Sequence, residues 1–116
     1  MMYEPEAGDL VWVDLDPRTG REQGGRQPCL VVSLREFWQN TGMAMIAPIT
    51  SKVRPFPSST VLPDSLSIKG EILSGQIRSI DTGSRLFKFS GTRVPPETLR
   101  EVRDKLAVMA GITRSA

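Results

Sequence analysis

Histidine is absent from the chain of 116 residues, and cysteine occurs once, at Cys29. Histidine is the side chain that most often exchanges protons near neutral pH, and it is a frequent ligand of transition metals. A single cysteine allows no disulfide within the chain, and the scattered carboxylates show no spacing typical of a zinc site. We therefore predict no metal and no cofactor. Any catalysis has to depend on arginine, glutamate, hydroxyl, amide or backbone groups.

Long hydrophobic runs are also missing. No apolar stretch approaches the roughly 20 residues that span a bilayer. The acidic N-terminus lacks the basic and apolar leader of a secretory signal. Hydrophobic residues make up 39% of the chain and charged residues 24%, which is typical of a globular protein. The length predicts a single domain over residues 1–116. The lack of a leader and of disulfides predicts a location in the cytoplasm, and the lack of a long apolar run predicts no membrane partner.

The net charge of +2 conceals an uneven distribution. Residues 1–17 carry a net charge of −5, residues 18–54 carry +4, and the remaining 62 residues carry +3. The basic excess falls in sequence rich in loops, where it can contact a polyanion. Charge alone fits nucleic-acid binding and an ordinary solvated surface equally well.

Short strand-like segments alternate with turn signals through most of the chain. Residues 10–15 alternate as in a half-buried strand, and residues 29–32 and 43–49 are apolar strands, the latter ending near Pro48. The pattern Ser33-x-x-Glu36 has the form of a capping box and predicts a short helix. Further short strands are predicted at residues 59–62, 71–73, 76–80 and 86–90, a spacing typical of a small barrel.

The C-terminal segment predicts a helix that begins at Pro95-Pro96 and has Gly111 at its C-cap. Four apolar residues recur at helical spacing and predict a stripe that packs against the barrel: Leu99, Val102, Leu106 and Met109. The predicted fold class is therefore β-rich α+β, a small barrel with a short internal helix and a C-terminal helix.

The most informative stretch lies around the first loop. Residues 8–17 read GDLVWVDLDP, and residues 20–28 read GREQGGRQP, a loop whose three glycines allow polar side chains to converge on a ligand. Together with Pro48-Ile49-Thr50-Ser51 and Gln76-Ile77-Arg78-Ser79, this stretch resembles the MazF/PemK family of toxin endoribonucleases. The order and spacing match from about residue 8 to residue 111.

This resemblance implies a fold, an activity and a set of partners. The fold is the SH3-like barrel that MazF shares with the CcdB toxins. The activity is that of a ribosome-independent, sequence-specific mRNA interferase, the toxin of a type II toxin–antitoxin system. The expected partners are single-stranded RNA, a second copy of the chain in a homodimer, and a cognate MazE-like antitoxin whose acidic, disordered tail covers the basic surface.

Cleavage without histidine or metal is feasible because RNA supplies its own nucleophile. The ribose 2′-hydroxyl attacks the adjacent phosphorus and leaves a 2′,3′-cyclic phosphate and a 5′-hydroxyl. The protein has to hold this geometry, assist proton transfer and stabilise the phosphate oxygens, a task that suits a guanidinium. The resemblance supports Glu22 and Thr50 as catalytic residues. It also supports four residues in binding bases and phosphates: Gln23, Ser51, Gln76 and Arg78.

The chain departs from its family at the position of the catalytic arginine. In the MazF branch an arginine directly precedes the proline that opens the second strand, whereas this chain has Gln27. Arg26 lies one residue earlier, where an extended backbone directs its side chain to the opposite face. The PemK branch instead uses an arginine and an aspartate, and the matching positions here are Leu73 and Gly75.

Three explanations of Gln27 stay open. In the first, Arg26 reaches the site through the flexible Gly24-Gly25 segment, with Arg78 sharing its role. In the second, the protein is a weak or inactive member of the family, and in the third the glutamine was introduced to reduce toxicity.

Two rival functions also stay open. One is a module that binds RNA or antitoxin without cutting, and the other is a gyrase poison like the CcdB toxins.

Overall fold

A computed structural model describes residues 3–15 and 26–112 of the chain. Within these residues, seven short strands and two α-helices follow one another along the chain. The strands are β1 (Asp9–Asp14), β2 (Arg26–Val31), β3 (Met43–Thr50), β4 (Thr60–Val61), β5 (Glu71–Ile72), β6 (Arg78–Asp81) and β7 (Phe87–Arg93). The helices are α1 (Arg35–Thr41), between β2 and β3, and α2 (Pro96–Ala110), at the end.

The strands form an antiparallel sheet in the order β4-β5-β3-β2-β1-β7, with β6 paired to β3 outside this path. Strands β4 and β7 are the two ends of the path, and no pairing joins them in the part of the chain that the structure describes. The antiparallel, β-rich architecture with two helices is confirmed. These pairings by themselves do not close the sheet into a barrel.

The third strand is paired along both edges. Its first edge pairs with β2, and its second edge pairs first with β6, over Met43–Ile46, and then with β5, over Ile49–Thr50. Pro48 lies where the second edge changes partner, a position at which its missing N–H costs no ladder hydrogen bond. Its carbonyl accepts a hydrogen bond from the N–H of Leu73 at 2.8 Å. The strand runs to Thr50, one residue beyond the predicted range of 43–49.

Successive strand residues point to opposite faces of the sheet, and both faces are covered. On one face, Leu10, Leu30 and Ile49 pack with α2 through Val102. On the other face, the cluster of buried side chains consists of Val11, Val13, Cys29, Val31, Ala44, Ile46 and Ile80. Because both faces are buried, the central strands are apolar at consecutive positions.

The internal helix α1 is present, but its predicted capping box is wrong. The N-cap residue is Leu34, and no side chain caps the helix. The Ser33 hydroxyl instead accepts the N–H of Met45 at 2.9 Å and so ties the chain before the helix to β3. At the other end, Gly42 adopts a left-handed conformation with φ 73°, which glycine tolerates without strain.

The C-terminal helix α2 follows the prediction closely at both ends, with Pro95 as N-cap and left-handed Gly111 as C-cap. Three residues of the predicted stripe, Leu99, Val102 and Leu106, pack against the sheet. The prediction for Met109 is wrong, since its side chain is 45% exposed. It lines a surface cavity of about 420 Å³. Neither described helix is long and apolar enough to cross a membrane.

Candidate active site

The register between β2 and β3 brings Gln27 to Thr50. Cys29 pairs with Pro48, and continuing this antiparallel register by two residues places Gln27 opposite Thr50. Residues that face each other in this way point to the same side of the sheet. The Gln27 Nε2 donates a hydrogen bond to the carbonyl oxygen of Ile49 at 3.4 Å, which holds the amide beside the end of β3.

The structure does not bring Arg26 to the same place. Arg26 precedes Gln27 in β2, and its Cα pairs with Asp14 of β1. Its guanidinium carbon lies 5.6 Å from the centre of the Trp12 ring, in a cation–π contact. The parity of the strand therefore keeps this cation on the face opposite to Gln27. This placement agrees with the alternation expected of an extended strand and does not support the alternative in which Arg26 acts as the catalytic cation.

A cleft opens at the end of β3, with a volume of about 280 Å³. Two of the predicted residues, the half-buried Thr50 and the exposed Gln76, line it. The Thr50 hydroxyl accepts the N–H of Lys52 at 3.2 Å, so its own proton is available to an incoming acceptor. Ser51 lies between these two residues and is exposed.

Besides the buried Glu71, three residues of this cleft were not predicted as members of the site: Lys52, Arg54 and Leu73, the last named only as the position that matches the PemK arginine. A fourth, Phe56, was left open as a side chain that stacks on bases, and it is 55% exposed at the cleft. Two cations and an aromatic ring in one loop are the signal that indicates contact with phosphates and unpaired bases.

The floor of the cleft contains Glu71, a fully buried acid. Its carboxylate accepts the N–H of Arg54 at 2.7 Å and the N–H of Phe56 at 3.2 Å, and the Ser59 hydroxyl donates to it as well. The hydrogen bond from Ser59, followed by that from Arg54, lowers the pKa of Glu71 below its usual value. The sequence analysis placed Glu71 only as a strand residue, because its partners are distant along the chain.

Behind the cleft, Gly70 approaches the backbone of Thr50 closely. A Cβ atom at position 70 would lie 2.4 Å from the carbonyl oxygen of Thr50. The φ of Gly70 is +138°, a conformation that side chains rarely adopt. Only glycine therefore fits at this position without displacing Thr50.

Arg78 lies on the same face of the sheet, at the neighbouring strand. Arg78 belongs to β6, where it pairs with Ile46 of β3, and its side chain is exposed. Its charge also acts on the buried Cys29: burial raises the pKa of this thiol to about 12, against the opposing effect of Arg78. Cys29 is thus a protonated core residue and no nucleophile at neutral pH.

The remaining predicted site residues, Glu22 and Gln23, lie outside the described residues, so their roles stay predictions. In residues 3–15 and 26–112, no group of three histidine, cysteine, aspartate or glutamate side chains is placed to hold a metal ion. The described part of the site consequently offers amide, hydroxyl, cationic and aromatic groups.

Comparison with known proteins defines the class of this fold and cleft. Residues 6–110 match the family described as PemK-like, MazF-like toxin of type II toxin–antitoxin system. The chain is 37% identical over 109 residues to the endoribonuclease toxin MazF of Escherichia coli strain K12, covering 94% of this chain and 96% of that protein.

Solved structures agree with this match. The crystal structure of MazF from Deinococcus radiodurans superposes with a TM-score of 0.84 and 38% identity, over 95% of this chain and 99% of the other. A MazE–MazF crystal structure from the same organism superposes with a TM-score of 0.83 and 34% identity, over 97% of this chain and 100% of the other. The chain belongs to the family of PemK-like, MazF-like toxins, and the resemblance found in its motifs is confirmed.

Proposed function

We propose that the protein is a metal-free, ribosome-independent endoribonuclease that cuts single-stranded RNA at a short sequence motif. The observation that carries the proposal is the meeting of Gln27 and Thr50 beside a cleft lined by Lys52, Arg54 and Phe56. Its full-length relative from Escherichia coli is named an endoribonuclease toxin, which supports the same activity here.

In the proposed reaction, the 2′-oxygen forms a bond to the adjacent phosphorus while the bond to the 5′-oxygen breaks. Glu22 accepts the proton of the 2′-hydroxyl, and solvent water donates a proton to the leaving 5′-oxygen to give the 5′-hydroxyl. The Thr50 hydroxyl donates a hydrogen bond to a non-bridging oxygen. Gln27 has one further N–H besides the one donated to Ile49, and this N–H binds the same phosphate. Lys52, Arg54 and Arg78 hold neighbouring phosphates.

The neutral side chain of Gln27 makes this a slow enzyme. Losing a charged donor from the transition state typically raises the barrier by about 2.7–4 kcal/mol, or roughly 100- to 1000-fold in rate. The position of Arg26 over Trp12 favours a second candidate function, a module that binds RNA or antitoxin and does not cut. The cleft serves binding equally well in both cases.

The proposal includes the partners that the resemblance implies. The MazE–MazF structure from Deinococcus radiodurans supports a MazE-like antitoxin as the partner of this chain. We further propose a homodimer with RNA along its interface, an SH3-like barrel as the scaffold of each copy, and a location in the cytoplasm, where mRNA is found.

The decisive experiment uses the protein in EDTA with a defined single-stranded RNA and with the same sequence in 2′-deoxyribose. Cleavage of the RNA alone, with cyclic phosphate ends, supports the nuclease. Retarded migration of both strands without cleavage supports the binding module. The absence of both binding and cleavage would overturn the two candidate functions together.

A further inference from the structure

The segment from residue 54 to residue 57 has an unusual backbone, because proline alternates with other residues in Arg54-Pro55-Phe56-Pro57. The two prolines have no N–H to donate and restrict φ. The other two N–H groups both point to Glu71, one to each carboxylate oxygen. Both backbone donors of the segment are therefore bound to one buried carboxylate, and the N–H of Phe56 is shared with the Ser59 hydroxyl at 3.3 Å.

From this arrangement we infer that Glu71 is a positioning residue for RNA binding: it fixes the segment so that Arg54 and Phe56 face the cleft. The inference rests on the proposed function, since it assigns a task in binding RNA. Arg54 and Phe56 are both exposed, while the carboxylate beneath them has no exposed surface. The side chains available to RNA and the group that orders their backbone are thus separate.

A second element holds the chain just beyond this segment, at Ser59. Lys105 of α2 donates from Nζ to the carbonyl oxygen of Ser59 at 2.5 Å and pairs with Glu101 at 2.9 Å. Ser59 in turn donates its hydroxyl to Glu71. The segment is consequently anchored to β5 through Glu71 and to α2 through Lys105.

The charge of Glu71 gives the inference a testable sign. The carboxylate lies in a cleft expected to bind phosphates, where a negative charge repels the ligand. If charge alone mattered, Glu71→Gln would bind RNA more tightly than the unmodified protein. If Glu71 positions the segment, the same substitution weakens binding, because a glutamine amide has one acceptor oxygen in place of two. Either Arg54 or Phe56 then loses its bond to residue 71, and Phe56 keeps only its longer bond to the Ser59 hydroxyl at 3.3 Å.

The experiment compares Glu71→Gln with Glu97→Gln, which removes the same charge from an exposed position in the first turn of α2. The dissociation constant of a single-stranded 2′-deoxy oligonucleotide is measured by fluorescence anisotropy at fixed salt. We expect about tenfold weaker binding for Glu71→Gln, the effect of losing one charge-assisted hydrogen bond. For Glu97→Gln we expect unchanged or slightly tighter binding.

A double-mutant cycle distinguishes positioning from a general loss of structure. In a protein that already carries Arg54→Ala and Phe56→Ala, Glu71→Gln is expected to have no further effect on affinity. In the single variant, the amide proton resonance of Arg54 or of Phe56, whichever loses its bond to residue 71, should move upfield. If Glu71→Gln does not fold by circular dichroism, Ser59→Ala tests the same network, since it removes the hydroxyl that bonds to Glu71 and to the backbone of Phe56 and keeps the carboxylate.

Equal or tighter binding by folded Glu71→Gln overturns the inference. The inference also fails if Glu71→Gln lowers the affinity of the Arg54→Ala, Phe56→Ala protein as much as it lowers that of the unmodified protein. Because affinity is measured with a strand that cannot be cut, the result does not depend on cleavage. Binding without cleavage by the unmodified protein would overturn only the nuclease, while cleavage combined with unchanged affinity of Glu71→Gln would overturn only the role of Glu71.

Discussion

Arg26 and Gln27 are consecutive residues whose side chains lie on opposite faces of the same strand. The guanidinium of Arg26 covers the Trp12 ring, and the amide of Gln27 is hydrogen-bonded to the carbonyl oxygen of Ile49 at the cleft. To exchange these environments, β2 would have to shift its register by one residue, which would turn Leu30 and Val31 to the wrong faces. Position 27, rather than position 26, is therefore where a cation would meet the phosphate.

Replacing Gln27 by arginine should increase the rate of RNA cleavage. A guanidinium in this place adds a charged, two-pronged donor to the phosphate, and we expect about a 100- to 1000-fold gain in rate. The measurement is the initial rate of cleavage of a single-stranded RNA in EDTA. Arg26→Ala serves as the control and should cleave at the rate of the unmodified protein. An unchanged rate for Gln27→Arg, with loss of cleavage in Arg26→Ala, would assign the role to Arg26.

Replacing Thr50 by valine should lower kcat far more than it changes KM. Valine keeps the shape of the side chain but removes the donor to the transition state, an effect of about 100-fold. Single-turnover and steady-state rates on the same RNA separate the two constants. Thr92→Val, on the distant β7, should leave both unchanged. A Thr50→Val protein with normal kcat would remove the hydroxyl from the mechanism.

Acid should weaken the folded protein through Glu71. Its folded pKa is lowered below the usual value of 4.5, so its hydrogen bonds stabilise the fold above that pH. This contribution is lost as the pH falls through the lowered pKa of the folded state. Urea unfolding at neutral and acidic pH should therefore show that the free energy of unfolding falls less on acidification for Glu71→Gln than for the unmodified protein. Glu97→Gln should lose stability in acid like the unmodified protein; equal losses in all three would contradict the prediction.

Salt should weaken RNA binding in proportion to the number of cations that contact phosphate. Removing one contact with Lys52→Ala should reduce the slope of log affinity against log salt concentration by about 0.7, the value for single strands. Titrations at several ionic strengths measure this slope. Lys88→Ala, an exposed lysine of β7, should leave the slope unchanged. If both variants have the slope of the unmodified protein, Lys52 makes no phosphate contact.

The sequence predicted those features that depend on neighbouring residues. The two ends of α2 follow from local proline and glycine chemistry, and the opposite directions of Arg26 and Gln27 follow from strand alternation. Features that depend on distant partners were missed. Ser33 bonds to Met45 instead of capping its own helix, and Glu71 bonds to residues 12 to 17 positions earlier in the chain. No local pattern indicates such pairs before the chain has folded.

The double pairing of β3 separates what is constant in this site from what is adjustable. Thr50 ends a strand that has hydrogen-bonded neighbours on both edges, so its place is set by the sheet before any ligand arrives. The side chains of residues 52–56, by contrast, project from a loop outside the ladder. Under the proposed function, exchanging them would alter nucleotide preference while Thr50 keeps its position, so this loop is the part of the site to vary in order to change cleavage specificity.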